Sequence, residues 1–501
     1  MTKHGVIFLA ALLAWFAGTM ETSQLAAQPP AFLKTQLDSK FRSEGVAIGD
    51  FNRDGAPDIA AGNVWYQAPA WQMHALRGTA IEYDPLSYSD SFANFVDDVN
   101  DDGWDDLIVV GFPGAPTIWY ENPKNAGLPW TARQAVAVTN NESPAYVDVD
   151  GDGRRELVFG HSPDGNPDNP QRTLAFAQPG SNPMQPWSVR TFSAAAAPGS
   201  GQFSHGLGVG DMNLDGRKDV VTPQGWYEAP INASQAIWTF HALPLGPDSA
   251  QMHVYDFDGD GDEDVLSSSA HNYGIWWHER RPTGPVTREI FDGFSQSHSL
   301  EMADLDANGL PDFVTGKRRF AHPPPGDPGT FDPSVLYWFE LTRSGATPLW
   351  TPHEIDSTSG VGTQFEIGDV NGDSRPDIVT ANKNGVFLFQ QMPSGTGLLP
   401  GDYNKSGGVD AADYVVWRNT IGQVGAGLAA DGNLNNQIDT GDFDIWRANF
   451  GRAPSEGSSA ASTSGARANT PIPEPTAVVM LVGAMIVVKR RNGQQSTSRP
   501  Q

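Results

Sequence analysis

A nine-residue segment with oxygen-bearing side chains at its first, third, fifth and ninth places occurs seven times along the chain. Asp50, Asn52, Asp54 and Asp58 fill those places in the first copy, and Asp98, Asn100, Asp102 and Asp106 in the second. Asp148, Asp150, Asp152 and Glu156 follow, then Asp211, Asn213, Asp215 and Asp219. The last three copies carry Asp256, Asp258, Asp260 and Asp264; Asp304, Asp306, Asn308 and Asp312; and Asp369, Asn371, Asp373 and Asp377. The sixth place is Gly in every copy but the last, where it is Ser374. Calcium takes six to eight oxygens, and a tight loop supplies them from alternate side chains and a carbonyl. Gly at the sixth place permits the sharp turn. A set of Asx–Gly turns would need no metal, but such turns do not call for a carboxylate at both the first and ninth places.

Two further loops near the C-terminus follow a longer rule. Asp402, Asn404, Ser406, Asp410 and Asp413 stand at places 1, 3, 5, 9 and 12, and Asp431, Asn433, Asn435, Asp439 and Asp442 repeat the pattern. Here the twelfth-place acid opens a helical run, DYVVWRN or DFDIWRAN, which is the loop–helix order of an EF-hand. Together the nine loops use twenty-nine of the 59 acids. Nine divalent ions would cancel two thirds of the formal charge of −27, so ligation accounts for much of the imbalance. That charge also argues against nucleic acid as a partner.

A second constellation is less regular. Six residues before the loops stand Glu44, Phe92, Glu142, His205, Ala250, His298 and Thr363, with His253 and Gln364 nearby in sequence. If the repeats are arranged in a ring, Glu44, Glu142, His205 and His298 meet at one rim of its channel. They could there bind a transition metal or serve acid–base chemistry, or simply line a wet polar channel. A basic run, TGKRRFAH (Thr315 to His322), is expected on a blade edge, either gripping an acidic sugar or solvated. No GxSxG, HExxH or P-loop motif occurs, so no catalytic residue is assigned.

The elements that must hold these residues are short strands. Loop starts lie 48, 50, 63, 45, 48 and 65 residues apart. Each loop is preceded by a strand-like run such as GVAIGD and followed by an apolar one such as DLIVVG. An aromatic strand comes next (VWYQAP, IWYENP, GWYEAP), and a fourth often begins with Trp, as at Trp71, Trp130, Trp187, Trp238 and Trp350. Four strands per repeat of this length make a propeller blade. The seventh repeat lacks its fourth strand, while FLKTQLDS (Phe32 to Ser39) precedes the first loop and resembles the missing piece. An all-β, seven-bladed β-propeller closed by its N-terminal segment is therefore expected over residues 32–393. The 54 Gly and 39 Pro suit its many turns, and the absence of Cys excludes disulfides and thiolate sites.

These loops and strands resemble FG-GAP/VCBS repeats. The resemblance implies a calcium-binding propeller, found in integrin-type and bacterial surface proteins and often used for adhesion or ligand binding; it does not imply one activity. Residues 401–452 resemble a dockerin, a small α-helical EF-hand-like module. That resemblance implies a cohesin-like partner, although Ala411-Ala412 and Thr440-Gly441 replace the hydroxyl pair familiar after place 9. A calcium clip with only a structural role is the other reading. Residues 1–27, with Lys3, His4 and an apolar stretch, read as a secretory signal peptide. Residues 453–472 read as a flexible linker. Residues 473–491 join Pro473-Glu474-Pro475, an apolar stretch and Lys489-Arg490-Arg491, and resemble a PEP-CTERM sorting signal with transient membrane contact; a weak membrane tail is the alternative. The expected function is a non-catalytic recognition or adhesion platform for a glycan or protein, exported to the extracellular space or cell surface. A lyase- or dehydratase-type carbohydrate-active enzyme using the channel is the alternative.

Overall fold

The computed structural model describes residues 29–233, 237–246, 249–392, 399–406, 408–425, 428–433 and 437–452. The expected signal peptide, linker and sorting segment lie outside the described residues. Between Phe32 and Gln391 the chain forms seven antiparallel four-stranded sheets, six of them built from four strands consecutive in the chain and adjacent in space. Blade 1 runs Ala47–Gly49, Asp58–Ala61, Val64–Gln67 and Gln72–Ala75. The first strands of blades 2 to 7 are Ala93–Asp97, Ala145–Val147, Gly208–Gly210, His253–Tyr255, Leu300–Ala303 and Phe365–Gly368. These first strands line the axis. Gly208 and Gly210 let blade 4 approach blade 5 there, since a Cβ on Gly208 would lie 2.3 Å from the Met252 carbonyl oxygen.

The second strand of every blade is buried almost throughout, as in Asp106–Val110 and Asp312–Gly316. It is sandwiched between neighbouring blades on both faces, which is why its sequence is a continuous apolar run rather than an alternating one. The core therefore lies between blades. Ile59, Tyr66, Trp338, Val379 and Phe389 join blades 1, 6 and 7, while Ile108, Trp119, Phe159 and Trp187 join blades 2 and 3. Three of the Trp residues before fourth strands act as latches. The backbone N–H of Trp130, Trp187 and Trp238 donates to the carbonyl of Leu76, Ala135 and Phe192 in the preceding blade.

Blade 7 is completed by Phe32–Asp38, which pairs antiparallel with Gly385–Gln391. Leu33 on this strand is buried, and Lys34 reaches across to Asp356 of blade 6 at 2.8 Å. First and last segments of the propeller thus share one sheet, leaving no unpaired seam in the ring.

The only helices among the described residues, α1 (Ala411–Thr420) and α2 (Thr440–Asn449), belong to the C-terminal loops. Each starts at a capping box, Asp410 with Asp413 and Asp439 with Asp442, so the twelfth-place acid sits in the first turn rather than opening the helix. The two copies hold each other reciprocally: Trp417 Nε1 donates to the Asp439 carbonyl and Trp446 Nε1 to that of Asp410. Neither helix is long and apolar enough to cross a membrane.

Candidate functional site

The seven acidic loops connect the first and second strands of their blades and so gather on one face. Within each loop the first-place carboxylate accepts backbone N–H groups from further round the turn. In blade 6, Asp304 accepts from Asn308 at 3.0 Å and from Gly309 at 2.9 Å. Two places are left-handed, not one. The sixth has φ of 83° to 94° in all six of its glycines, 87° at Gly55 among them, and Ser374 takes 64°. The fourth is left-handed in all seven loops, at Gly151, Gly259 and Gly372 but also at Arg53, Asp101, Leu214 and Ala307.

The ninth-place acids are buried and tie the blade together. Asp312 Oδ2 accepts the Leu305 N–H at 3.0 Å and Oδ1 the Leu341 N–H at 2.8 Å, linking the loop to the third strand. Asp58, Asp219 and Asp377 repeat both bonds. Burial pushes Asp312 and Asp377 up to about 7 and Asp106 up to about 8. Carboxylate oxygens of Asp148, Asp150 and Glu156, of Asp256, Asp258 and Asp260, and of Asp304, Asp306 and Asp312 lie within 4.8 Å of one another. Glu156 Oε1 and Asp106 Oδ2 are buried and have no hydrogen-bond partner. This donor set fits a hard divalent cation: all oxygen, crowded, and with lone pairs to spare. In the C-terminal loops Asp413 and Asp442 are buried and accept N–H groups from both the loop and the helix N-cap. Asn435 lies outside the described residues.

The axis encloses a cavity of about 750 Å³, with Asp97, Asp105 and Arg155 among its lining at the loop-face end. Two carboxylates on adjacent inner strands, Glu301 and Glu366, face into it. Desolvation raises Glu301 to about 8 and Glu366 to about 7, with mutual repulsion adding to the Glu301 shift. At its far end the lining includes Gln251 and Gln364. Gln251 donates to the Thr363 carbonyl, and Gln364 Oε1 accepts from Val46 and Asn94.

On the opposite face the structure brings three of the four rim residues together. His205 Nε2 lies 3.4 Å and His298 Nε2 3.8 Å from Glu142 Oε2. His271, which the repeat offset did not single out, enters from the turn between the second and third strands of blade 5. Its Nε2 is 3.1 Å from His205 Nε2, and its Nδ1 is 3.3 Å from Asp327. His322 stacks on His271 and also contacts Asp327. Desolvation, with neighbouring positive charge, lowers the His271 and His298 imidazoles, so both are neutral at ordinary pH. Desolvation opposes the Glu142 carboxylate, but His205 and Arg318 outweigh it and hold it below the usual range.

Glu44 is held apart from this group by cations. Its carboxylate pairs with Arg318, with Lys383 at 3.9 Å, all three nearly inaccessible to solvent. The TGKRRFAH run is thus not a solvated blade edge: Lys317 and Arg318 are buried because the long insertion of blade 6 folds inward over the rim. Burial brings Lys383 down to about 7. Beside them Tyr88, Phe92, Phe112 and Phe203 form a chain of ring contacts at 5.4–6.2 Å. Phe203 is 45% exposed and left-handed, with φ of 61°.

An FG-GAP-like repeat model matches residues 98–159 and 256–315, which contain the second, third, fifth and sixth acidic loops. Over 276 residues the chain is 26% identical to integrin alpha-PS2 of Drosophila melanogaster, a match covering 49% of this chain and 18% of the integrin. The chain therefore spans under a fifth of that relative's length. Among solved structures it is similar to a lectin of Agrocybe aegerita described as recognising non-reducing terminal N-acetylglucosamine, with TM-score 0.38 and 13% identity over 73% of this chain and 86% of that one. It is also similar to an exotype rhamnogalacturonan lyase, with TM-score 0.40 and 12% identity over 73% of this chain and 75% of that one.

Proposed function

We propose that this chain is an exported, calcium-loaded propeller that serves as a non-catalytic recognition or adhesion platform for a glycan or protein, on the face opposite its acidic loops. Phe203 carries the reading. A bulky residue in the left-handed region costs on the order of 1–3 kcal/mol and persists only where its surroundings impose it. Here the strained residue presents its ring to solvent at the end of an aromatic chain. Such a surface suits the apolar face of a pyranose or an apolar side chain. FG-GAP-like repeats and the likeness to an integrin alpha chain support the same reading.

Calcium would be held by the side chains at places 1, 3, 5 and 9 of the propeller loops, and by Asp402, Asn404, Ser406, Asp410, Asp413 and their counterparts in the second C-terminal loop. Bound there, it cancels the repulsion of clustered carboxylates and fixes the loops. The proposed units are a signal peptide at 1–27, the propeller at 32–393, a dockerin-like module at 401–452 with a cohesin-like partner, a linker at 453–472, and a sorting segment at 473–491 in transient contact with a membrane. The test is an immobilised array of neutral and acidic glycans and matrix proteins, read in millimolar calcium and in EDTA. Calcium-dependent binding that falls at least about tenfold in Phe203→Ala, at 1.4 kcal/mol per decade, supports the reading. Absence of calcium-dependent binding on every surface overturns it. The His–Glu cluster favours a second reading, a lyase- or dehydratase-type enzyme, which depolymerisation of an acidic polysaccharide by the same preparation would support.

A further inference from the structure

We propose that the rim opposite the acidic loops holds one transition-metal ion of the zinc class, bound by His205, His271 and His298 with Glu142 as the carboxylate ligand. This goes beyond the recognition role and does not depend on it. The argument is one of distances. Zinc bonds nitrogen and oxygen at about 2.0–2.2 Å in a tetrahedron, which puts neighbouring donors roughly 3.3 Å apart. The donor separations here are 3.1 Å for His205–His271, 3.4 Å for His205–Glu142 and 3.8 Å for His298–Glu142. One ligand atom from each of the three histidines falls within a 4.8 Å group. Three imidazole donors from three separate segments thus converge on one point, with the Glu142 carboxylate from a fourth segment beside two of them.

Two further observations point to an ion rather than to packing. His298 is 1% exposed, and neither ring nitrogen has a hydrogen-bond partner. Burying an imidazole without partners is costly, and a metal at Nε2 removes part of that cost. Asp327 meets Nδ1 of His271, on the far side of the ring from the nitrogen that faces His205. A carboxylate in that position fixes the tautomer and leaves Nε2 with its lone pair toward the site, the usual arrangement behind a ligating histidine. Glu44 falls outside the three-histidine group, and its Oε1 is taken by Arg318 and Lys383. Nitrogen-rich donors of this kind suit zinc or a neighbouring first-row ion, whereas calcium prefers the all-oxygen loops on the other face.

The test uses the full chain kept in calcium, stripped of transition metals and titrated with cobalt(II), whose visible absorption reports nitrogen coordination at low coordination number. The expected result is one cobalt per chain, displaced by zinc, with elemental analysis of the untreated protein showing a transition metal near one equivalent. His271→Ala, at a half-buried turn position, should abolish the band. Asp327→Asn should keep it but weaken affinity by about 10–100-fold. His241→Ala, a half-exposed imidazole paired with Glu228 on the fourth strand of blade 4, should leave affinity within about twofold, well below that loss. A wild-type chain that binds calcium alone, or a His271→Ala chain that binds cobalt as tightly as wild type, overturns the assignment. Should His271→Ala melt early, His271→Asn replaces it, and an unchanged cobalt affinity there overturns it equally.

Discussion

Neutralising Glu44 should destabilise the propeller far more than its place in a loop suggests. Glu44, Arg318 and Lys383 are at most 2% exposed, so their charges have little water to fall back on. Glu44→Gln keeps the shape and an oxygen toward Arg318 but removes the negative charge. Lys383 escapes by losing its proton, since burial already brings it down to about 7. Arg318 cannot, because a guanidinium stays charged at any pH the fold survives. Breaking one side of a buried pair costs about 3–5 kcal/mol, and part of that should remain here because Arg318 still rests against the rings of Tyr88 and Phe92. The glutamate backbone is unaffected and still accepts from Thr363 and Gln364 of blade 7. A loss of at least about 2 kcal/mol is therefore expected, read as the first transition in chemical denaturation at pH 8 in calcium. Lys383→Met, which removes a group already mostly neutral at pH 8, should cost under about 1 kcal/mol, and Arg318→Met should restore much of what Glu44→Gln loses. If Glu44→Gln unfolds within about 0.5 kcal/mol of wild type, the charges are not paired as described.

Deleting residues 29–39 removes the closing strand and its bridge from Lys34 to Asp356. The truncated chain should be less stable and should associate through the bared Gly385–Gln391 edge, measured by light scattering; a monomer as stable as the parent would show that closure comes from elsewhere. The Glu301 and Glu366 carboxyls are raised in the folded state, so the native protein binds more protons than the unfolded chain between about pH 4 and 8. Stability should accordingly fall as pH rises through that window, and Glu301→Gln should flatten the fall. Parallel melting profiles for the two proteins from pH 5 to 8.5 would refute this.

The ring was legible because its signal is repetitive. Seven copies of one loop fix the blade count, and the spare strand at Phe32 fixes how the ring closes. Period and offset also bring Glu142, His205 and His298 to one rim. What the offset could not reveal is anything contributed outside the repeat. His271 comes from a second-to-third-strand turn, and Asp327 and His322 from an insertion peculiar to blade 6. The same insertion explains the basic run. Lys317 and Arg318 look solvated by composition, yet Glu44, remote in sequence, gives Arg318 a buried partner. The fourth loop place escaped for a different reason: Arg53, Asp101, Leu214 and Ala307 carry no glycine to mark their left-handed backbone. The three copies that do have Gly there, Gly151, Gly259 and Gly372, held the available clue.

The two faces of the ring differ in chemistry because they are made by different kinds of connection. First-to-second-strand loops follow the repeat rule and are short, so every blade delivers the same oxygen-rich turn to one face. Connections on the other face vary in length and sequence, and they place imidazoles, cations and aromatic rings around the same axis. Hard oxygen clusters select calcium-like ions, while imidazoles select ions nearer zinc. If both proposed sites are filled, one chain without cysteine would separate two metals by geometry alone, using repetition for the structural ion and irregular loops for the other. The same division would leave the variable face free to change in sequence without disturbing the acidic loops. Phe203 illustrates the point: it stands two residues from His205, strained and exposed, in a segment that contributes nothing to the repeat.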